Sequence, residues 1–208
     1  RTLDIDEISG NFHLTYNYLS DQSLFSEKNF STVEALTAKA RSFFDGQGLF
    51  SVDLKAAEAS ITYFKLDSGV LVSTTSLSNA DAVGVSFNRV PIEKNPIVSP
   101  DPKQGLVSIL FSGAADAKKQ ILEVRFFYTA IDLENFATYP STSVESAFTM
   151  LKSGKAIYAS LPDPIPQSIS IRKIYLGYLD PYSPQSYLQP VIVFSNEKGF
   201  SAYVPAIN

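Results

Sequence analysis

Ala137-Thr138-Tyr139-Pro140 leads into Thr142-Ser143-Val144-Glu145, and a helical pattern runs on to Gly154. Three stretches follow: Ile169 to Leu179, Tyr187 to Phe194 and Phe200 to Ile207. Their apolar residues alternate, as half-buried strands require. This is one helix followed by three amphipathic strands, closing on Tyr203-Val204-Pro205-Ala206. A helix packed on an antiparallel sheet satisfies that order, and it sets the fold class at α+β.

The same grammar occurs earlier. Phe12, Leu14, Tyr16 and Tyr18 alternate, which predicts a strand over 11–19. Ser31-Thr32-Val33-Glu34 reads as a capping box, a hydroxyl N-cap with Glu three residues later. Behind it Val33, Leu36, Ala40 and Phe43 fall on one helix face, and Gly46 or Gly48 ends the helix. Strand patterns follow at 59–66, 70–76, 82–90, 106–112 and 121–131, the first two joined by Asp67-Ser68-Gly69. The four prolines of Pro91–Gln104 predict a long loop. The first ten residues read as a loose lead-in. A second capping box at Thr142–Glu145 turns Val144, Ala147, Phe148 and Leu151 inward. Val33 and Val144 stand 111 residues apart. The expectation is an internal repeat: two similar units, each a short helix on an antiparallel β-meander, over 11–134 and 137–208.

Of the 208 residues 45% are hydrophobic and 12% aromatic, enough to build a core. A formal charge of −4 disfavours nucleic acid, whose binding needs a basic face. It equally disfavours anionic membrane surfaces. Without Cys there is no disulfide, thiolate nucleophile or Cys-based metal site. No run reaches the eighteen apolar residues of a membrane span. The chain starts at Arg1 and its one Met is Met150, which reads as a processed chain whose signal or anchor preceded it. Asn29-Phe30-Ser31 is a glycosylation sequon, of consequence only in a secreted eukaryotic protein.

Little in the chain points to catalysis. His13 is the only histidine and sits in an alternating strand, so it reads as a surface residue. Asp4, Asp6 and Glu7 lack the spacing of a calcium loop and read as a solvated terminus. Asp163 and Asp180 both adjoin prolines; as a catalytic pair they would have to converge in a cleft, and turn chemistry is the commoner role of such residues. Gly46-Gln47-Gly48 follows a helix instead of opening one, so it is no phosphate loop. Neither cofactor nor metal is expected. Tyr175, Tyr178, Tyr182 and Tyr187 cluster around one hairpin with Pro181, Pro184 and Pro190, and Tyr178, Tyr182 and Tyr187 are the candidate contacts. Rigid amphipathic tyrosines suit a protein-binding surface, and lining the sheet under the helix is their other role.

Several positions carry a family resemblance: Thr138-Tyr139-Pro140, Val144-Glu145-Ser146-Ala147, Leu151 to Ala156, Ile171 to Tyr178, Tyr187-Leu188-Gln189-Pro190-Val191 and Tyr203 to Ala206. In their order of helix, Leu-Gly-Tyr strand, Leu-x-Pro-Val strand and terminal strand, they resemble the C-terminal unit of the YycH/YycI-type bacterial regulators, whose units are similar to PepSY-like modules. The resemblance implies a membrane-anchored domain of the cell envelope, outside the cytoplasm, that acts through protein contacts. The family's anchor is missing from this chain. The expected function is therefore a non-enzymatic extracytoplasmic interaction or regulatory domain, whose partner is another protein or a second copy of the chain. A carboxylate-based hydrolase of envelope polymers and a structural subunit of a surface assembly are the other readings.

Overall fold

The computed structural model describes residues 1–207. Its strands form two sheets in two compact units. The first comprises Arg1–Val90 with Lys103–Tyr128, the second Pro91–Pro102 with Thr129 onward.

The first unit runs β1 (Thr2–Ile5), β2 (Phe12–Thr15), α1 (Val33–Gly46), α2 (Val52–Ala56), β3 (Ala59–Asp67), β4 (Val70–Thr74) and β5 (Ala82–Phe87). The chain then leaves the unit to form β6 (Ile97–Val98), and returns as β7 (Val107–Ser112) and β8 (Ile121–Phe126). Seven antiparallel strands lie in the order β1-β2-β8-β7-β5-β3-β4. The lead-in expected at the N-terminus is thus an edge strand, with Leu3 opposite Leu14. Central strands β5 and β7 are buried along their whole length. One face of the sheet takes α1. Leu36, Ala40 and Phe44 of the helix pack with Val83, Val85 and Ile109. Their spacing of four keeps them in one stripe, so Phe44 is the inward residue and Phe43 flanks it. Thr32, not Ser31, caps α1, accepting from the Ala35 amide. On the other face two single helical turns bring Leu24 onto Phe64, Leu110 and Leu122.

A polar tie fixes α2. Arg89 is buried with its guanidinium 4.2 Å from the centre of the Tyr128 ring, and it donates to Asp53 at 3.0 Å. Tyr128 Oη also donates to Asp53, at 2.9 Å, and the Ser51 hydroxyl donates to it too. Burial pushes the Asp53 carboxyl up, but the hydrogen bonds from Ser51 and Tyr128 and the Arg89 charge outweigh it and hold the carboxyl below its ordinary value.

The second unit runs α3 (Val144–Lys152), β9 (Ile157–Ser160), β10 (Lys173–Leu179), β11 (Gln189–Ser195) and β12 (Ser201–Pro205). With β6 these strands form a five-stranded sheet in the order β6-β10-β11-β12-β9. Ser143, one residue beyond the expected Thr142, caps α3 through the Ser146 amide. Gly154, at φ +76°, ends it. Ala147 and Leu151 pack on Ile192, Phe194, Ala202 and Val204. The opposite face buries Leu179, Val191, Val193 and Tyr203.

Two expectations are corrected. Each unit is a helix on an antiparallel sheet, but the strand orders differ. In the first unit β3, which follows the helices, lies inside the sheet beside β5. In the second, β9 lies at the edge beside the last strand, β12. The repeat therefore ends at the helix caps. Nor is the proline-rich segment only a loop. Ile97 and Val98 pair in parallel with Tyr178 and Leu179. Prolines at 96 and 100 are tolerated because this is a sheet edge. Tyr203 Oη anchors the segment by donating to the Ser99 carbonyl at 2.9 Å, and burial pushes that phenol up to about 12.

Gly177 makes the pairing possible. A side chain there would sit 2.9 Å from the Pro96 carbonyl oxygen, which accepts from the Tyr178 amide at 3.0 Å. Gly177→Ala is expected to push β6 off β10 and to lower unfolding stability by roughly 1–3 kcal/mol, readable by denaturant titration; an unchanged midpoint would contradict the close approach.

The Asp53 tie sets a pH dependence. Because its folded value is depressed, the stabilisation is complete above the ordinary carboxylate range near about pH 4. It is lost as pH falls through the folded value. The stability gap between the wild type and Asp53→Asn should therefore be full at neutrality and close on acidification, in urea titrations at stepped pH.

Candidate functional site

A five-stranded sheet is roughly 20 Å across, and a helix with its side chains about 10 Å. One nine-residue helix cannot cover that sheet. α3 packs on β12 and β11, Ile169 and Ile171 ahead of β10 join the same core, and Ile174 and Leu176 of β10 stay partly exposed. Side chains on one sheet face recur every second residue. Ile174 is opposite Phe194 and Leu176 opposite Ile192, so both share the helix face. Tyr178, opposite Pro190, continues the row. Ile174 is 47% exposed and Leu176 40%.

The helix wall of this strip comes from residues expected in the core. Ala147 and Leu151 face the sheet, while Val144 and Phe148 stand one step around the helix. They are 47% and 40% exposed. The Phe148 ring lies 6.1 Å from Phe194, the cross-strand neighbour of Ile174. Buried Ile192 and Phe194 thus floor a strip walled by Val144 and Phe148 on one side and by Ile174, Leu176 and Tyr178 on the other. Lys152 Nζ sits 5.0 Å from the centre of the Phe148 ring, and Arg172 and Lys173 open β10. β12 begins beside the end of α3, where Tyr158 Oη donates to the Leu151 carbonyl and the Tyr158 ring meets Phe200 edge to face. Ser201 and Lys173 both lie opposite Ser195, so Lys152 and Lys173 mark the same end of the sheet, Lys152 on the helix face and Lys173 on the face of Tyr175.

The three tyrosines read as a binding cluster separate. Tyr178 belongs to the strip. Tyr187 is 65% exposed in the loop between β10 and β11. Tyr182, in the same loop, is half-buried. Val144, Phe148, Ile174 and Leu176 were legible only as apolar residues. What marks them out is the shortness of the helix against the number of strands that follow it.

Other sequence candidates take structural places. His13 is half-buried rather than freely exposed; its Nε2 lies 2.7 Å from Glu123 Oε1, which also accepts from Arg125. Glu123 and Arg125, without His13, join Ser86, Ser108 and Gly84 in lining a shallow depression on the face of the first sheet away from α1. Among the described residues no buried side-chain nitrogen or oxygen lacks a partner, so the depression presents no unmet donor. Asp163 and Asp180 do not converge. β9 ends opposite Ser201, at the end where β10 begins, and Asp163 follows from there. Asp180 is buried at the far end of β10, its amide bonded to the Val98 carbonyl. Among the described residues no group of three His, Asp or Glu side chains is placed to hold a metal, and no helix is long and apolar enough to cross a membrane. Asp6 folds back to accept from the Ser9 amide at 2.7 Å, which makes it a turn residue.

Comparison with protein-family models, with curated proteins and with solved structures returns no match.

An exposed strip should matter little to folding. Ile174→Thr and Leu176→Thr are each expected to change unfolding stability by less than about 1 kcal/mol. Ile192→Ala, on the buried floor, should cost about 2–5 kcal/mol. Equal losses at all three would show that the strip is core.

Proposed function

We propose that this chain is a non-enzymatic protein-interaction domain of a regulatory kind that works outside the cytoplasm. One observation carries the interaction reading: the contiguous apolar strip of the second unit, with Val144, Phe148, Ile174 and Leu176 all at least 40% exposed. Scattered exposed apolar residues are ordinary on protein surfaces. A walled strip over a buried floor is different, because its burial by a partner removes apolar area from water at low entropic cost. Tyr178 and Lys152 at its margins add amphipathic and charged contacts of the type enriched at interfaces. The placement outside the cytoplasm rests on the resemblance to YycH/YycI-type regulators and on nothing else. Tyr182 and Tyr187 enter this reading as peripheral contacts.

Site-specific photocrosslinking tests it. A photoreactive phenylalanine analogue replacing Phe148 or Leu176, in cells of the source organism, should capture one discrete polypeptide. The same analogue at Val52, an exposed apolar position of the first unit, should not. Equal diffuse labelling from all three positions would remove the proposal. Fractionating those cells tests the placement independently.

A further inference from the structure

β10 is open as well as apolar. β6 pairs only with Tyr178 and Leu179, and among the described residues no strand pairs with the earlier part of β10 on that side. The amides of Tyr178 and Asp180 point to β6, bonding the Pro96 and Val98 carbonyls. Backbone groups alternate along a strand, so the amides of Ile174 and Leu176 point to the same side. The edge therefore offers a short ladder of unpaired donors and acceptors directly beside the exposed strip. Natural proteins usually blunt such an edge with charge or proline. Here the blunting residues, Arg172 and Lys173, stand only at the start of the strand.

Resting on the interaction reading above, we propose that the occupant is an extended peptide segment of a partner protein, added as a strand along Lys173–Leu176. Every second side chain of that segment lies over Ile174, Leu176 and Phe148 and is apolar. Lys173, whose side chain falls on the other face of the strand with Tyr175, sets the remaining specificity at the start of the edge. An Asp or Glu at the end of the segment that meets Lys173 complements it. Backbone pairing supplies the affinity and the alternate side chains supply the selectivity, as in other strand-addition interfaces.

The test is selection of random nine-residue peptides displayed on phage against the whole chain, followed by synthesis of the enriched sequence. Enriched peptides should alternate apolar and polar residues and carry an acid at one end. Lys173→Glu should shift the selection to basic ends. Leu176→Pro removes an outward amide that an edge strand can spare, so the variant should fold but bind the peptide about tenfold more weakly. N-methylation along the peptide should weaken binding at every second residue, a readout that does not depend on how any variant folds. Peptides without alternation, or an N-methyl scan without period two, would overturn the strand-addition inference. If Phe148→Asp then still abolishes binding, the apolar strip remains the site and only the strand geometry fails; if Phe148→Asp is also silent, the interaction reading fails with it. A sedimenting dimer that Leu176→Pro dissociates would identify a second copy as the occupant and likewise overturn the inference.

Discussion

The width of a helix against the width of a sheet governs the second unit. α3 can bury two strands and no more, so the sheet must find other cover or stay exposed. On the face away from the helix the chain supplies cover from a distance: the 91–102 segment brings Val98 and Ser99 onto Leu179 and Tyr203. On the helix face nothing comparable reaches β10. The first unit meets the same problem differently. Its longer α1 spans a broader set of central strands, α2 and the phenylalanines around Phe44 extend the cover, and the Asp53–Arg89–Tyr128 tie pins that extension in place. The apolar surplus therefore gathers on the side where the covering element is shortest.

Most of the elements could be read from local pattern, and the reasons for the failures are specific. Residues 59–66, 82–90 and 106–112 alternate or run apolar between turn residues, and they hold the strands Ala59–Asp67, Ala82–Phe87 and Val107–Ser112. Both helices begin within one residue of a recognisable hydroxyl. The cap is Thr32 or Ser143 because adjacent hydroxyls compete for it and only backbone geometry chooses between them. β1 escaped because its residues are mostly polar or exposed; pairing with β2, not burial, makes it a strand. β6 escaped because two apolar residues among prolines carry no period, and its partner lies some eighty residues further on.

The surface was harder to read than the core. Periodicity places a residue on a helix face but does not say whether anything lies beneath that face. Val144 and Phe148 obey the inward spacing as well as Ala147 and Leu151 do, yet only the latter pair is buried. The tyrosine-rich loop drew notice for its composition, but composition ignores register. Tyr178 lies in line with Ile174 and Leu176 because it is two and four residues away from them on one strand.

The excursion that forms β6 has a consequence for how the chain can be made and cut. The second unit is discontinuous: its edge strand is synthesised before β7 and β8 of the first unit, and some seventy-five residues ahead of β10. On the ribosome Ile97 and Val98 must wait, solvated, until β10 has emerged. A fragment starting at Thr129 would lose that strand and bare Gly177 to Leu179 to aggregation, while one ending at Tyr128 would carry an orphaned apolar dipeptide. No single scission of the polypeptide separates the two units cleanly.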